Sequence, residues 1–205
     1  MNIIIPLGGL GKRFSDFGYK LPKPLIKLFF KPIIFWLLDN LKVTDKDNVY
    51  LICNKALRKY RFESEIKKKY PNYYIIYLES DTRGAAETIA IGTKDINNDD
   101  NTILLDGDTF YRIDLLSVYR MSKQKNMVVC FRQSDERPIY SYVGFDENKI
   151  INKIAEKDRV TEFANSGAYA FEKLSDLKKY CNKIISEELK FGGEFYMSRV
   201  IAEMI

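Results

Sequence analysis

The chain has 205 residues, 46% of them hydrophobic and 30% charged, the composition of a folded globular protein of single-domain size and not of a disordered one. Its 33 basic and 28 acidic residues leave a net charge of +5, spread without an arginine-rich arm, so the charge favours small anionic substrates and not nucleic acid. Histidine is absent, which excludes it as general base, nucleophile and metal ligand.

In chain order, Ile3-Ile4-Ile5 reads as a buried strand, residues 32–41 (PIIFWLLDNL) as a helix with proline in its first turn, and residues 49–53 (VYLIC) as a second strand. A polar helix is expected at about 55–69, its basic end Lys67-Lys68-Lys69 solvated, then a strand at 73–78, a helix at 84–93 and a strand at 102–105. This alternation predicts an α/β fold: a mostly parallel central sheet flanked by helices, Rossmann-like, with right-handed crossovers. After Asp106 the rhythm changes. A helix near 114–123 leads to strands at 127–131, 142–145, 150–155 and 168–171, an antiparallel portion able to hold a second substrate over the end of the parallel sheet. Helices at about 174–187 and 194–204 finish a single domain spanning residues 1–205. Cys53, Cys130 and Cys181 are too dispersed for a disulfide framework or zinc site. The first apolar run is too short for a signal peptide and none approaches about 18 residues, so a cytoplasmic protein with no membrane partner is expected.

The first strand runs into Leu7-Gly8-Gly9-Leu10-Gly11-Lys12-Arg13, with Pro22-Lys23-Pro24 shortly after. Glycines admit a ligand close to the backbone and the cations point to a phosphate, in a loop beyond the carboxyl end of a strand. A P-loop would need glycine where Pro6 stands and Ser or Thr where Arg13 stands. A dinucleotide fingerprint starting at Gly9 would place Phe14 at a position that needs a small residue for helix packing. Both are excluded.

The combination Gly8, Gly9, Gly11, Arg13, Pro22 and Lys23 resembles the signature Gly-Gly-x-Gly-x-Arg followed by Pro-Lys of the sugar-phosphate nucleotidyltransferase family, and the resemblance spans nearly the whole chain. It implies that Leu7, Gly8, Gly9, Gly11 and Lys12 wrap a nucleoside triphosphate, with Arg13 on its phosphates and Lys23 near the attacking and leaving groups. Asp106-Gly107-Asp108, at the end of the 102–105 strand, offers hard oxygen ligands that suit Mg²⁺. By the resemblance Asp108 is the metal ligand, and Asp106 lies on the nucleotide side. Gly84 and Ala85, within Thr82-Arg83-Gly84-Ala85-Ala86-Glu87, match the segment that contacts the base. Glu156-Lys157 and Asn165-Ser166-Gly167-Ala168-Tyr169 match the acceptor side: Lys157 on the acceptor phosphate, Glu156 and Asn165 or Ser166 on its hydroxyls, with Tyr142 and Glu194 completing the set.

The family continues past the position of Ile205 for a further strand and helix, often with an acidic residue that completes the metal site. Truncation is one account of the difference; a ligand taken from elsewhere, with Asp106 the candidate, is the other. The implied reaction moves a nucleoside monophosphate from an NTP to a sugar 1-phosphate and releases pyrophosphate. Rival readings are cytidylyl transfer to phosphocholine or a polyol phosphate, a metal-dependent glycosyltransferase that also uses Asp-x-Asp, and a non-catalytic nucleotide-binding regulator. Nucleobase, acceptor and oligomeric state, a homo-oligomer included, stay open.

Overall fold

A computed structural model describes residues 1–9 and 11–205, the side chains of Lys12 and Arg13 aside. In chain order it contains β1 (Asn2–Leu7), α1 (Lys12–Asp16), a short hairpin of β2 (Lys27–Leu28) and β3 (Lys31–Pro32), α2 (Ile33–Asn40), β4 (Asn48–Cys53), α3 (Phe62–Lys69), β5 (Tyr74–Tyr77), α4 (Ala85–Gly92) and β6 (Thr102–Leu105). The second half adds α5 (Leu115–Met121), β7 (Met127–Arg132), β8 (Ser141–Phe145), β9 (Ile151–Glu156), β10 (Phe163–Phe171), α6 (Leu174–Ser186) and α7 (Met197–Ala202).

The main sheet runs β5-β4-β1-β6-β10-β8-β9, with β7 also paired to β10. β5, β4, β1 and β6 are parallel, and β10 turns the sheet antiparallel. The chain leaves β1 toward β4 on one side and returns to β6 on the other. Between the carboxyl ends of β1 and β6 lies the switch point where open α/β sheets bind ligands.

Alternation along β1 sorts the core into two layers, because successive side chains point to opposite faces. Ile3, Ile5 and Leu7 pack with Ile34 and Leu37 of α2, Phe62 and Ile66 of α3, and Leu116 of α5. Ile4 faces the other way, onto Ile89 of α4, Leu177 and Cys181 of α6, and Val200 of α7. The cysteines are free, and burial pushes the Cys130 thiol up to about 11, so it behaves as a small hydrophobe. No helix among the described residues is long and apolar enough to cross a membrane.

Two expected helices are shorter than the sequence pattern suggests. The polar helix at 55–69 breaks at Arg61, whose φ of 55° is left-handed, into a 3-10 turn over Lys55–Tyr60 and α3. A continuous helix would set Leu57 and Phe62 well apart in angle, whereas the break buries both in one layer. The last helix starts at Met197 because the preceding backbone is held elsewhere: Phe195 N–H donates to the Arg83 carbonyl at 2.7 Å, and Ala86 N–H donates to the Phe195 carbonyl at 3.1 Å.

Asp47 joins three parts of the β1 end opposite the switch point. Its carboxylate accepts from the N–H and hydroxyl of Thr44, each at 2.8 Å, pairs with Arg120 of α5 at 2.5 Å, and lies 3.6 Å from the Met1 amino group. Burial works to raise its pKa, but the Thr44 hydrogen bonds and the Arg120 charge outweigh it and leave the carboxyl below its ordinary 3.8. The folded group therefore holds its proton less tightly than the unfolded one, so its stabilisation is complete above that value and lost as pH falls below it. Asp47→Asn is expected to cost about 1–3 kcal/mol at pH 7. The gap to wild type should close in acid, as read by denaturant midpoints across pH.

Candidate active site

At the switch point a cleft of about 650 Å³ opens between the glycine loop, the loop after β6, the start of α4 and the segment before α7. Its lining includes Leu7, Gly8, Gly9, Gly11, Lys23, Gly84, Ala85, Asp106, Asp108, Lys157 and Glu194. Residues drawn from positions 7 to 194 thus meet in one concavity. Thr82 and Tyr196, which lie in segments that resemble the family, also line it, as do Phe14, Asp16 and Thr88, to which the sequence assigned no role in the site. Lys12 and Arg13 were expected here; their side chains lie outside the described residues.

The glycine loop is fixed from below by Asn54, a buried residue at the end of β4. Its amide donates to the Gly8 carbonyl at 3.1 Å and to Asp81 at 2.9 Å, while its backbone N–H donates to the Leu7 carbonyl at 3.0 Å. A polar residue directly after a strand was a signal, though one shared with ordinary turns. Lys23 sits in a 3-10 turn, Lys23–Leu25, entered from Pro22 with φ −54°. The flanking prolines hold that backbone, and the Lys23 ammonium forms an ion pair with Asp108 and lies 5.6 Å from the Phe14 ring centre.

Asp106 and Asp108 stand at the carboxyl end of β6, each lining the cleft. Burial, then the charge of Asp108, pushes the Asp106 carboxyl up to about 7; Lys23 opposes this and Glu156 adds to it. Two carboxylates forced together, one half-buried, make a place where a hard cation is favoured, since its charge reverses the repulsion. No group of three or more Asp, Glu, His or Cys side chains suited to a metal occurs among the described residues. That donor set fits Mg²⁺, which is commonly held by one or two carboxylates and completes its shell with water and phosphate oxygens.

Opposite them, Lys157 follows β9 in left-handed backbone, φ 50°. Its ammonium donates to the Tyr196 hydroxyl at 3.1 Å and lies 5.1 Å and 5.7 Å from the rings of Tyr196 and Phe191. At the start of α4, Gly84 has φ 131°, and a Cβ there would come within 2.6 Å of the Phe195 backbone. The glycine is thus needed for the contact between α4 and the 191–196 segment as well as for an open wall. Thr82 and Thr88 hydroxyls share a hydrogen bond at 2.6 Å on the same wall.

Four residues expected on the acceptor side do not line the cleft. Tyr142 is fully buried, its hydroxyl donating to the Arg137 carbonyl at 2.9 Å. Glu156 Oε2 accepts from Ser141 at 2.5 Å and from Ser198 at 2.7 Å, tying β9 to α7. Asn165 and Ser166 belong to a bulge in β10, where pairing to β7 jumps from Asn165 to Ala168. Asn165 Oδ1 accepts from Gly167 N–H at 2.9 Å, and Ser166 Oγ donates to the Val129 carbonyl at 2.8 Å. Gly167, with φ 79°, leaves room for the Asp106 carboxylate, and its carbonyl accepts from Asp106 N–H at 2.8 Å. Their hydrogen bonds are spent on the strand that seats Asp106.

The fold is an open α/β sheet with a glycine-walled, charged cleft at its switch point, and comparison with known proteins gives the class. The profile of the Nucleotidyl transferase family matches residues 2–192. A D-glycero-alpha-D-manno-heptose 1-phosphate guanylyltransferase of Campylobacter jejuni is 28% identical over 180 residues, 84% of this chain and 76% of that protein. One of the same name from Aneurinibacillus thermoaerophilus is 24% identical over 210 residues, covering 94% and 88%. The crystal structure of a nucleoside-diphosphate-sugar pyrophosphorylase from Vibrio cholerae superposes with a TM-score of 0.82 over 98% of this chain and 86% of that one; at 19% identity it supports the fold alone. The chain belongs to the Nucleotidyl transferase family and is a nucleotidyltransferase.

Proposed function

We propose that the enzyme joins a nucleoside triphosphate to a sugar 1-phosphate, forming a nucleoside-diphosphate sugar and releasing pyrophosphate, with GTP the favoured donor. The observation that carries this reading is the placement of Lys23 and Lys157 in one cleft with the Asp106–Asp108 pair, beside a wall of glycine backbone. The preference for GTP rests on the two relatives named as guanylyltransferases.

An oxygen of the acceptor phosphate attacks the α-phosphorus in line; the new P–O bond forms as the bond to the β-phosphate oxygen breaks, and that electron pair leaves with pyrophosphate. The attacking oxygen is already ionised at neutral pH, so no general base is required and the lack of histidine is no obstacle. The main barrier is electrostatic: two like charges at about 4 Å repel by roughly 4 kcal/mol at an effective dielectric of 20. Lys23, between its prolines, neutralises charge on the triphosphate side and Lys157 on the acceptor side, while the loop positions the reactants. Asp108, with Asp106, would hold Mg²⁺, which supplies charge neutralisation at the phosphates when bound.

The test is pyrophosphate release from each of the four ribonucleoside triphosphates against a panel of sugar 1-phosphates, phosphocholine and polyol phosphates, with Mg²⁺ present. Turnover confined to GTP with a sugar 1-phosphate is the expected result. Turnover with CTP and phosphocholine or a polyol phosphate would move the reading to the cytidylyl rival, and NTP binding without turnover on any acceptor would count against it.

A further inference from the structure

The β2–β3 hairpin ends in a two-residue turn, Phe29-Phe30, and both residues hold left-handed backbone, with φ of 48° and 66°. Such turns are normally filled by Asn-Gly or Asp-Gly, because a side chain strains the conformation and a bulky one strains it most. Here the two rings are 81% and 96% exposed, and the neighbouring Leu28 is 54% exposed. The hydrophobic core makes no use of them. Local turn chemistry and apolar burial both argue against these residues in the isolated molecule, so their gain has to come from something that covers the tip.

The surroundings extend the patch and set its charge. Trp36 donates its indole N–H to the Leu28 carbonyl at 3.0 Å and stands edge-on to Phe110, ring centres 6.2 Å apart. Phe110 and Ile113 are themselves half exposed, so the apolar surface continues from the hairpin into the loop after β6. Lys27 and Lys31 flank the rings, and Arg112 is exposed between Phe110 and Ile113 in sequence. Lys31 also lies 4.4 Å from the Trp36 ring centre. The acids of this region are engaged: Asp39 by Lys31 and Lys69, Asp108 by Lys23, and Asp114 by Ser117 at the start of α5.

We propose that this hairpin is a membrane-docking tip: Phe29 and Phe30 enter the interfacial zone of an anionic lipid bilayer while Lys27 and Arg112 meet its headgroups. Charge complementarity selects this occupant over a second copy of the chain. A twofold contact would bring the same basic side chains face to face on molecules that each carry +5. A fluid bilayer also moulds to a protruding tip without needing a matching surface of its own. Aromatic rings with lysines at their base suit the interface, where the lysine stems lie along the apolar zone and the ammonium groups reach the phosphates. The association is peripheral, with no segment crossing the bilayer required for it.

Co-sedimentation of the whole chain with vesicles of phosphatidylcholine, with and without phosphatidylglycerol, tests the proposal. Wild type is expected to bind the anionic vesicles and to be released by added salt. The double variant Phe29→Asn, Phe30→Gly carries the residues the turn prefers, so it should melt no lower than wild type and release pyrophosphate in solution at the same rate, while its vesicle partition falls by about tenfold or more. Absence of wild-type binding, or equal binding by the double variant, overturns the proposal. So does a wild-type dimer in sedimentation velocity that the double variant abolishes, which would assign the tip to a second copy.

Discussion

Lys23→Ala is expected to lower turnover by about 10²- to 10³-fold, the loss seen when one preorganised stabiliser of developing charge is removed. The size of the effect follows from where the ammonium is held. Pro22 and Pro24 restrict the backbone on either side, the side chain lines the cleft, and Asp108 orients it. A lysine held this way meets the triphosphate without first losing conformational freedom. The fold should barely register the change: the Lys23 and Asp108 side chains are 29% and 40% exposed, and ion pairs of that kind are worth about 0–1 kcal/mol. Pyrophosphate release and melting temperature measured on one preparation separate the two effects. Wild-type turnover in the variant would remove Lys23 from the chemistry.

Asp108→Asn should act on the metal. The substitution keeps shape and removes one of two carboxylate charges at the end of β6, so the Mg²⁺ concentration for half-maximal activity is expected to rise by at least about 10-fold, the low end of what losing even an outer partner of a metal costs. Chelation should abolish wild-type turnover. Stability should change little, because the lost pair with Lys23 is offset by relief of the repulsion that burdens Asp106. An unaltered Mg²⁺ titration would show that residue 108 does not hold the ion.

The parts of the site that were legible before folding are those whose signal is local. Gly8, Gly9 and Gly11 declare themselves as a glycine-rich loop directly after an apolar strand, Lys23 by its place between two prolines, and Asp106-Gly107-Asp108 by its position after an apolar run. The strands expected at 49–53 and 102–105 and the helix expected at 32–41, found at 48–53, 102–105 and 33–40, were legible for the same reason, since short-range periodicity carries them. Asn165 and Ser166, expected on the acceptor side, make their hydrogen bonds within the β10 bulge. Polar residues near a glycine look alike whether they face a ligand or satisfy a bulge, and only the β7–β10 register decides. Tyr196 lies in the segment Gly193-Glu194-Phe195-Tyr196 that resembles the family, but no role could be given to it there because its contact is with Lys157, 39 residues away.

By itself, then, the sequence determined the α/β alternation, the glycine loop and the acidic pair, because each depends on neighbours a few residues apart, while the class of reaction followed from the resemblance to a known family. The tertiary structure alone decided which polar groups remain free for a ligand and which are consumed in holding the sheet. It also decided that Phe29 and Phe30 face solvent at the tip of a turn instead of joining the core. The physical reason is the same throughout: hydrogen-bond satisfaction and burial are set by residues distant in the chain, and they exist only once the strands have paired and the helices have closed over them.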